Sequence, residues 1–509
     1  MRPSSAIRAS GSRRHWTAFE NKIVDPLPTD STSTATKPPL CVDLDGTLIA
    51  TDTLAEGLLE LLKTAPWKVF GVVPALMRGR PKLKRYLAQN APLDPATLPY
   101  REEVLEEVRQ ARDDGRQVLL VTASDQLTAD AVAQHVGLFD EAIGSDGERN
   151  LKAGRKAELL VSRFGAGGFQ YVGDSRADLS IWKAANEAIM VCPSPRTRRR
   201  AEHLVAKVTL LSARPKKWQA AARELRLHQW AKNLLLFVPL YFAHEYTNLS
   251  LDFIALMAFF SFSFCASSIY VLNDLVDLPS DRHHRTKRKR PLAAGTLSIP
   301  EGMALSAIAF AFAMTLAVRF VNPRFVVVLL GYVGLTTAYT FVLKQRMIID
   351  VLALASLFTY RVMAGGVAVD VALSPWLLAF SIFFFTSLAF VKRYAELVQL
   401  RQEPARSIKG RNYVPADIPI ITSAGPAAGL LAVLVFALYI NSPAIVMYYS
   451  WPEALWGICL VLVYWLMRIW FLAARDEMHD DPVLFAVKDK ISLLAGALVV
   501  GCLLVARYG

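Results

Sequence analysis

Asn273-Asp274-Leu275-Val276-Asp277-Leu278-Pro279-Ser280-Asp281 closes a long apolar run, and a basic tract from Arg282 to Arg290 follows at once. Three carboxylates and an amide at the mouth of a membrane helix are costly to hold, and ionisable groups beside hydrocarbon mark functional sites. Positions 274, 277 and 281 are spaced i, i+3, i+7, so the acids line one helical face. Such a face chelates a hard divalent cation, and Mg²⁺ prefers a few carboxylates plus phosphate oxygens. The plain alternative is a solvated helix end. Acid and base recur at several other apolar-run ends, which favours the functional reading.

Composition divides the chain in two. It has 509 residues, 53% of them hydrophobic, and a formal charge of +13. Residues 1–230 read as soluble, and 231–509 are dominated by long apolar runs. About nine runs can span, centred near Phe237, Phe262, Ala311, Gly331, Ser356, Phe383, Val433, Val461 and Gly496. Lys and Arg concentrate between them, so membrane topology accounts for much of the basic excess and no nucleic-acid partner is implied. The basic connections are Arg282 to Arg290, Lys344 with Arg346, Lys392 to Arg411, and Arg475 to Lys490. By the positive-inside rule they share the cytoplasmic face with the amino-terminal half, and the carboxyl terminus lies outside. The five scattered cysteines include no CxxC pair and indicate neither a disulfide framework nor a zinc site. Residues 1–37, rich in Ser, Thr, Arg and Pro, read as a disordered tail.

In the soluble half four short apolar strands, Leu40–Leu44, Gln117–Thr122, Phe169–Gly173 and Ala188–Cys192, alternate with helical stretches, which implies a parallel sheet. Residues 52–98 interrupt the first crossover and read as a small helical cap. A basic linker and an amphipathic interfacial helix with Trp218 and Trp230 occupy about 196–230. Asp43-Leu44-Asp45-Gly46-Thr47 ends the first strand, and its two acids project to one side of the chain. One carboxylate can attack phosphorus while the other handles the leaving-group proton. Thr122 can hydrogen-bond a transferring phosphoryl group, and a lysine at 152 or 156 can neutralise it. Asp174 and Asp178, with Asp43 and Asp45, complete a carboxylate cage for Mg²⁺.

This ordered set, over residues 38–195, resembles the haloacid dehalogenase-like hydrolase superfamily. The resemblance implies a Rossmann-like α/β domain with Asp43 as nucleophile and Asp45 as general acid and base. Lys156, which opens a helix, is the preferred motif lysine over Lys152, and Thr122 is preferred over Ser124.

The Asn-Asp-x-x-Asp-x-x-x-Asp pattern resembles the UbiA-type prenyltransferase superfamily, over about residues 222–509, and implies an all-α transmembrane bundle. Its usual second acidic motif departs here: Tyr339 to Asp350 carries one acid, Asp350, with Lys344 and Arg346, and Arg361 follows. The branch that fits resembles decaprenyl-phosphate phosphoribosyltransferase. Its cues are Arg226-Leu227-His228-Gln229-Trp230-Ala231-Lys232-Asn233, the segment from Asp281 through Lys287 and Arg290 to Gly295, and Lys392-Arg393-Tyr394 with Glu396. The resemblance implies catalysis by Asp274 and Asp277, with Mg²⁺ held by Asp274, Asp277 and Asp281. Lys232, Asn233, Asn273, Lys287, Arg290, Tyr339, Lys344, Asp350, Arg361, Lys392 and Arg393 are the expected contacts to the substrates.

The expectation is therefore a multi-pass enzyme of a bacterial plasma membrane, with Mg²⁺ in both domains. The bundle, 231–509, would transfer 5-phosphoribose from phosphoribosyl pyrophosphate to a polyprenyl phosphate, and the fused domain would remove the 5-phosphate. Homo-oligomerisation is left open. The rival readings are prenylation of an aromatic or other acceptor, and a lipid-phosphate transporter or scaffold without catalysis. Release of pyrophosphate separates an enzyme from a binder.

Overall fold

Strand β1, Leu40–Val42, is fully buried and pairs in parallel with β2, Val118–Asp125, on one side and with β4, Gln170–Gly173, on the other. Burial on both faces explains its unbroken apolar reading. The computed structural model describes residues 37–213, 215–243, 248–400, 411–443, 445, 448–478 and 481–509. Residues 38–509 form one compact unit. The tail before residue 37 and the bases Arg401, Arg406 and Lys409 lie outside the described residues.

Two further strands join the expected four. They are β3, Glu141–Ser145, and β5's outer neighbour β6, Val208–Ser212, where β5 is Glu187–Val191. The parallel order is β3-β2-β1-β4-β5-β6. Both additions are edge strands. Half-exposed edges lack the continuous apolar run that made the central strands legible. Residues 196–212 therefore belong to the sheet domain, not to a linker. The order reverses between β1 and β4, which opens a crevice at their carboxyl ends. The expected cap is helical: α1, Thr53–Thr64, α2, Val72–Met77, and α3, Arg80–Asn90. Helices α4, Glu102–Asp113, α5, Gln126–Val136, α6, Gly154–Phe164, α7, Leu179–Trp182, and α8, Pro195–Leu204, complete this half. The helix expected at the membrane interface is α9, Lys217–Glu224, and Trp230 lies beyond it.

Eight helices are long and apolar enough to cross a membrane among the described residues. They are α11, Leu249–Val276, α13, Ile299–Phe320, α14, Pro323–Phe341, α15, Ile349–Val369, α16, Pro375–Val398, α17, Ile418–Ile440, α18, Trp456–Ala474, and α20, Lys490–Tyr508. The ninth expected run, near Phe237, is different. It is a 3₁₀ helix, Leu227–Phe237, continued by the short α10, Val238–Phe242. Trp230 bonds Ser267, Asn233 bonds Ser263, and Leu240 packs on Ala255, so this segment runs antiparallel along α11. A 3₁₀ helix rises about 2.0 Å per residue against about 1.5 Å in an α-helix. Stretching thus lets a short segment follow most of a long neighbour. Between these lie α12, Leu278–His283, and α19, Pro482–Lys488.

The two halves are joined through the cap. Ala55 and Leu59 of α1 pack on an apolar cluster of Leu275, Leu278, Leu292 and Ala293. Arg282 of α12 ion-pairs with Glu56 at 2.5 Å, both side chains 7% exposed, and donates to the Thr97 carbonyl. Gly295 has φ +66°, and a Cβ there would collide with Ala50. Removing one partner of a buried ion pair leaves an uncompensated charge and costs about 3–5 kcal/mol. Glu56→Ala is therefore expected to lower the melting midpoint of the detergent-purified protein by several degrees. An unchanged melt would show that the Arg282 contact does not hold the halves together.

Candidate active sites

In the sheet domain the crevice between β1 and β4 gathers the expected acids. Carboxylate oxygens of Asp43, Asp174 and Asp178 lie within 4.8 Å of one another. Gly46 makes this possible: its φ is +77°, and a Cβ would stand 2.6 Å from Asp174 Oδ2. Burial raises Asp174 to about 8, and the neighbouring Asp178 and Asp43 add to the rise. Burial likewise lifts Asp43 to about 6 against the opposing pull of Lys156. Three crowded carboxylates of this kind call for a cation, and hard oxygen donors suit Mg²⁺.

Lys156 donates to Asp43 at 2.8 Å and to the Tyr171 hydroxyl at 2.9 Å. It is buried, whereas Lys152 is exposed, so the choice of Lys156 agrees with the geometry. Asp178 accepts from the Ser175 amide and hydroxyl, which fixes its carboxylate. Asp45 corrects one expectation. Its carboxylate accepts from Ser124 Oγ at 2.5 Å and from the Thr53 amide at 2.8 Å, and it does not join the metal cluster. Burial is the main cause that raises its pKa. A carboxyl so placed suits proton transfer. Thr122 is fully buried, and its Oγ1 accepts from the Ser124 amide.

In the bundle, Asp274 is held from two sides. Arg226 donates to both its oxygens at 2.5 Å, and Arg290 Nη1 bridges Asp274 at 2.9 Å and Asp281 at 2.5 Å. Lys287 stands 3.6 Å from Asp281 Oδ1, which has no hydrogen-bond partner. Asp277 has no ion pair among the described residues and lies within electrostatic reach of Lys63 of the cap. The three acids share a helical neighbourhood but are not drawn into a triad like that of Asp43, Asp174 and Asp178. Arginines stand between them instead. Asn273 reaches Thr340 at 3.4 Å.

Deeper in, Lys232 and Lys392 both donate to Asp481, at 2.9 and 3.1 Å. Their charge holds the Asp481 carboxyl well below its ordinary pKa, although burial opposes this. Arg361, midway along α15 and 4% exposed, donates to Asn233 Oδ1, the Leu357 carbonyl and the Tyr332 hydroxyl. Its guanidinium also lies over Phe262, Tyr332 and Phe358. It has no carboxylate partner among the described residues. Lys232 shares the Phe358 ring. An apolar cavity of about 710 Å³ is lined by residues including Leu235, Trp376, Phe380, Phe384 and Val362, the residue after Arg361.

The sequence profile of the UbiA prenyltransferase family matches residues 233–494, more than half of the chain. The chain belongs to the UbiA prenyltransferase family. A haloacid dehalogenase-like hydrolase profile matches residues 40–183, so this UbiA protein carries a hydrolase-type domain as well. An uncharacterized protein, y4nM, of Sinorhizobium fredii is 38% identical over 92% of this chain and 91% of its own length. A decaprenyl-phosphate phosphoribosyltransferase of Corynebacterium glutamicum is 32% identical over 56% of this chain and 86% of its own. A solved UbiA homolog from Archaeoglobus fulgidus, bound to GPP and Mg²⁺, aligns with a TM-score of 0.42 and 15% identity, over 56% of this chain and 99% of that one.

Several expected contacts of the UbiA half are committed elsewhere. Asp350 and Arg393 are both fully buried and bound to each other at 2.7 Å. Tyr339 donates to Asp350, and Arg411 lies alongside with Glu396. Among the described residues these charges balance, Asp350 and Glu396 against Arg393 and Arg411, so Asp350 and Arg393 are committed to each other. Lys344 sits in a 3₁₀ turn, Leu343–Gln345, without an ion pair among the described residues. The sequence reading missed Glu224 as a site residue. It is 1% exposed, and its neighbours are the Asp274 carboxylate, the Leu292 backbone and Arg226. Burial, then Asp274, raises it to about 8. Its one signal was being the sole acid of residues 215–232.

The lysine geometry gives a direct test. Lys156→Met removes the charge that faces both Asp43 and an incoming phosphoryl group, and should lower kcat/KM for p-nitrophenyl phosphate by about 100-fold or more. Lys152→Met should stay near wild type. Equal losses in the two variants would undo the assignment.

Proposed function

We propose that this protein transfers 5-phosphoribose from phosphoribosyl pyrophosphate to a polyprenyl phosphate, and then removes the 5-phosphate of the product. One observation carries the reading: Arg361 is buried in the bundle with no carboxylate among the described residues to neutralise it. A lone buried guanidinium costs several kcal/mol unless an anion joins it. Arg226, Lys232 and Arg290 lie in the same half, and the donor and acceptor together bring several phosphates. Arg presents a fork that fits phosphate oxygens, whereas Lys acts as a point charge. The apolar cavity beside Arg361 suits the lipid tail. The named activity of the Corynebacterium glutamicum relative supports the same substrate pair.

In the transfer step the lipid phosphate oxygen attacks the ribose C1. The C1–oxygen bond to pyrophosphate breaks, and pyrophosphate leaves with the electron pair. Asp274, Asp277 and Asp281 are the groups that would hold Mg²⁺, which supplies positive charge to the leaving group. Arg226 and Arg290, already poised at these acids, would take the pyrophosphate oxygens and stabilise charge as it develops. In the hydrolytic step Asp43 attacks the 5-phosphorus, and Asp45 protonates the departing ribose oxygen. Asp45 then takes a proton from the water that opens the phosphoaspartate. Lys156 and Thr122 would steady the phosphoryl oxygens. Asp350, locked to Arg393, offers no second acidic face, which disfavours the usual prenylation of an aromatic acceptor.

Two outcomes follow. With radiolabelled phosphoribosyl pyrophosphate, polyprenyl phosphate and Mg²⁺, Asp43→Asn should accumulate a lipid heavier by one phosphate than the wild-type product. Asp274→Asn should yield neither lipid. Identical phosphorylated lipid from wild type and Asp43→Asn, seen by mass analysis of the extract, removes this product as the phosphatase substrate.

We also propose that the sheet domain is cytoplasmic and the carboxyl terminus external. Thiol labelling on intact cells should reach a cysteine added after Gly509 but not one placed at Arg288. The reverse pattern would invert the orientation.

A further inference from the structure

The cap turns a second apolar face outward. Between α1 and α3 the chain runs as a 3₁₀ helix, Pro66–Gly71, continued by α2. Val69, Val72 and Ala75 recur every third residue and pack with Leu61, Leu83 and Leu87 in the core of the cap. Side chains three apart eclipse in a 3₁₀ helix, so other positions form a separate row. Trp67, Phe70, Val73 and Met77 make up that row. Trp67 is 68% exposed, and Phe70 and Met77 are each 83% exposed. Gly71 and Tyr86 hold the segment in place: a Cβ at Gly71 would collide with Tyr86, whose hydroxyl donates to the Lys68 carbonyl at 2.8 Å. Large apolar side chains left uncovered side by side mark a membrane or protein contact.

We propose that the cap segment Trp67–Met77 docks on the anionic phospholipid surface around the bundle and gives the hydrolase domain a membrane anchor of its own. Two observations name this occupant. The first is continuity with a contact already made. Helix α1, just before the segment, touches α11 and α13, and its Ala55 and Leu59 lie on the apolar cluster at the mouth of the bundle. Lys63, in the last turn of α1, is still within electrostatic reach of Asp277. The outward row starts shortly after it, at Trp67. The second observation is charge. The stretch from Leu61 to Leu93 holds no acid. Lys68, Arg78 and Arg80 are exposed without an ion pair among the described residues, and Lys82 reaches Glu148 only at 3.6 Å. Trp and Phe on one face, flanked by Lys and Arg, suit the headgroup layer of an anionic bilayer. A second copy of this chain would instead set one basic strip against another. The inference does not depend on the substrate pair proposed above.

Spin labels read the depth of this face directly. Full-length Phe70→Cys is labelled with a nitroxide and reconstituted in vesicles of phosphatidylethanolamine and phosphatidylglycerol. Gln110→Cys, on the exposed side of α4, is the aqueous control, and labelled wild type supplies the signal of the native cysteines. Melting curves establish that each variant is folded. The label at 70 should collide several-fold less often with a water-soluble nickel chelate than the label at 110, and several-fold more often with oxygen. Replacing both lipids by phosphatidylcholine should return the label at 70 toward water, and Arg78→Gln with Arg80→Gln should do the same in the anionic vesicles. A label at 70 as open to the nickel chelate as the control overturns the inference. Shielding that persists unchanged in neutral vesicles overturns the assignment to anionic lipid. Dipolar broadening at 70 that vanishes on dilution with unlabelled protein would put a second copy on this face, and overturns it too.

Discussion

The grip of Arg226 and Arg290 on Asp274 is the interaction on which the membrane half is organised. It joins three stretches distant in sequence: the entry to the first 3₁₀ segment, the end of α11 and the basic tract after α12. Arg282, paired with Glu56 of the cap, and Lys287, 3.6 Å from Asp281, also point inward, while Arg285, Arg288 and Lys289 are exposed. Apolar packing alone cannot set such a register, since hydrocarbon-like side chains slide past one another at little cost. Charge-assisted hydrogen bonds are directional and, away from bulk water, strong.

That anchor also fixes the phosphatase domain. Arg282 follows Asp281 directly, and its guanidinium reaches Glu56 in α1 of the cap. The same helix begins at Thr53, whose amide and hydroxyl hold Asp45. A single short helix therefore touches the proton-transfer acid at one end and the membrane domain along its side. The pairing is a physical basis for the two proposed reactions sharing one face.

The bundle departs from simple hydrophobic helices where it handles charge. Arg361 carries its burial through neutral hydrogen bonds and three aromatic faces, and Lys232 and Lys392 share one acid. Asp350, Arg393, Glu396 and Arg411 instead neutralise one another. The first two groupings keep unspent positive charge, and the last does not. Under the proposed function, that contrast separates residues that would take an anionic substrate from residues that brace the helices.

The sequence alone determined the hydrolase motif, the central strands, the helical cap and the apolar runs. Each is a local pattern: DxDGT at a strand end, or continuous apolar stretches; the acids expected on one helical face are instead split between the end of α11 and α12. The tertiary structure decided what local pattern cannot carry. It chose Lys156 by bringing it 113 positions back to Asp43, and turned Asp45 away from the metal cluster toward Ser124. It closed Asp350 onto Arg393, because a buried acid must find a partner wherever the chain supplies one. Edge strands β3 and β6 also emerged only on folding, since their half-exposed residues lack an apolar signature. Glu224 shows the same limit: a lone acid in a basic helix has no meaning until packing removes its water and sets it beside Asp274.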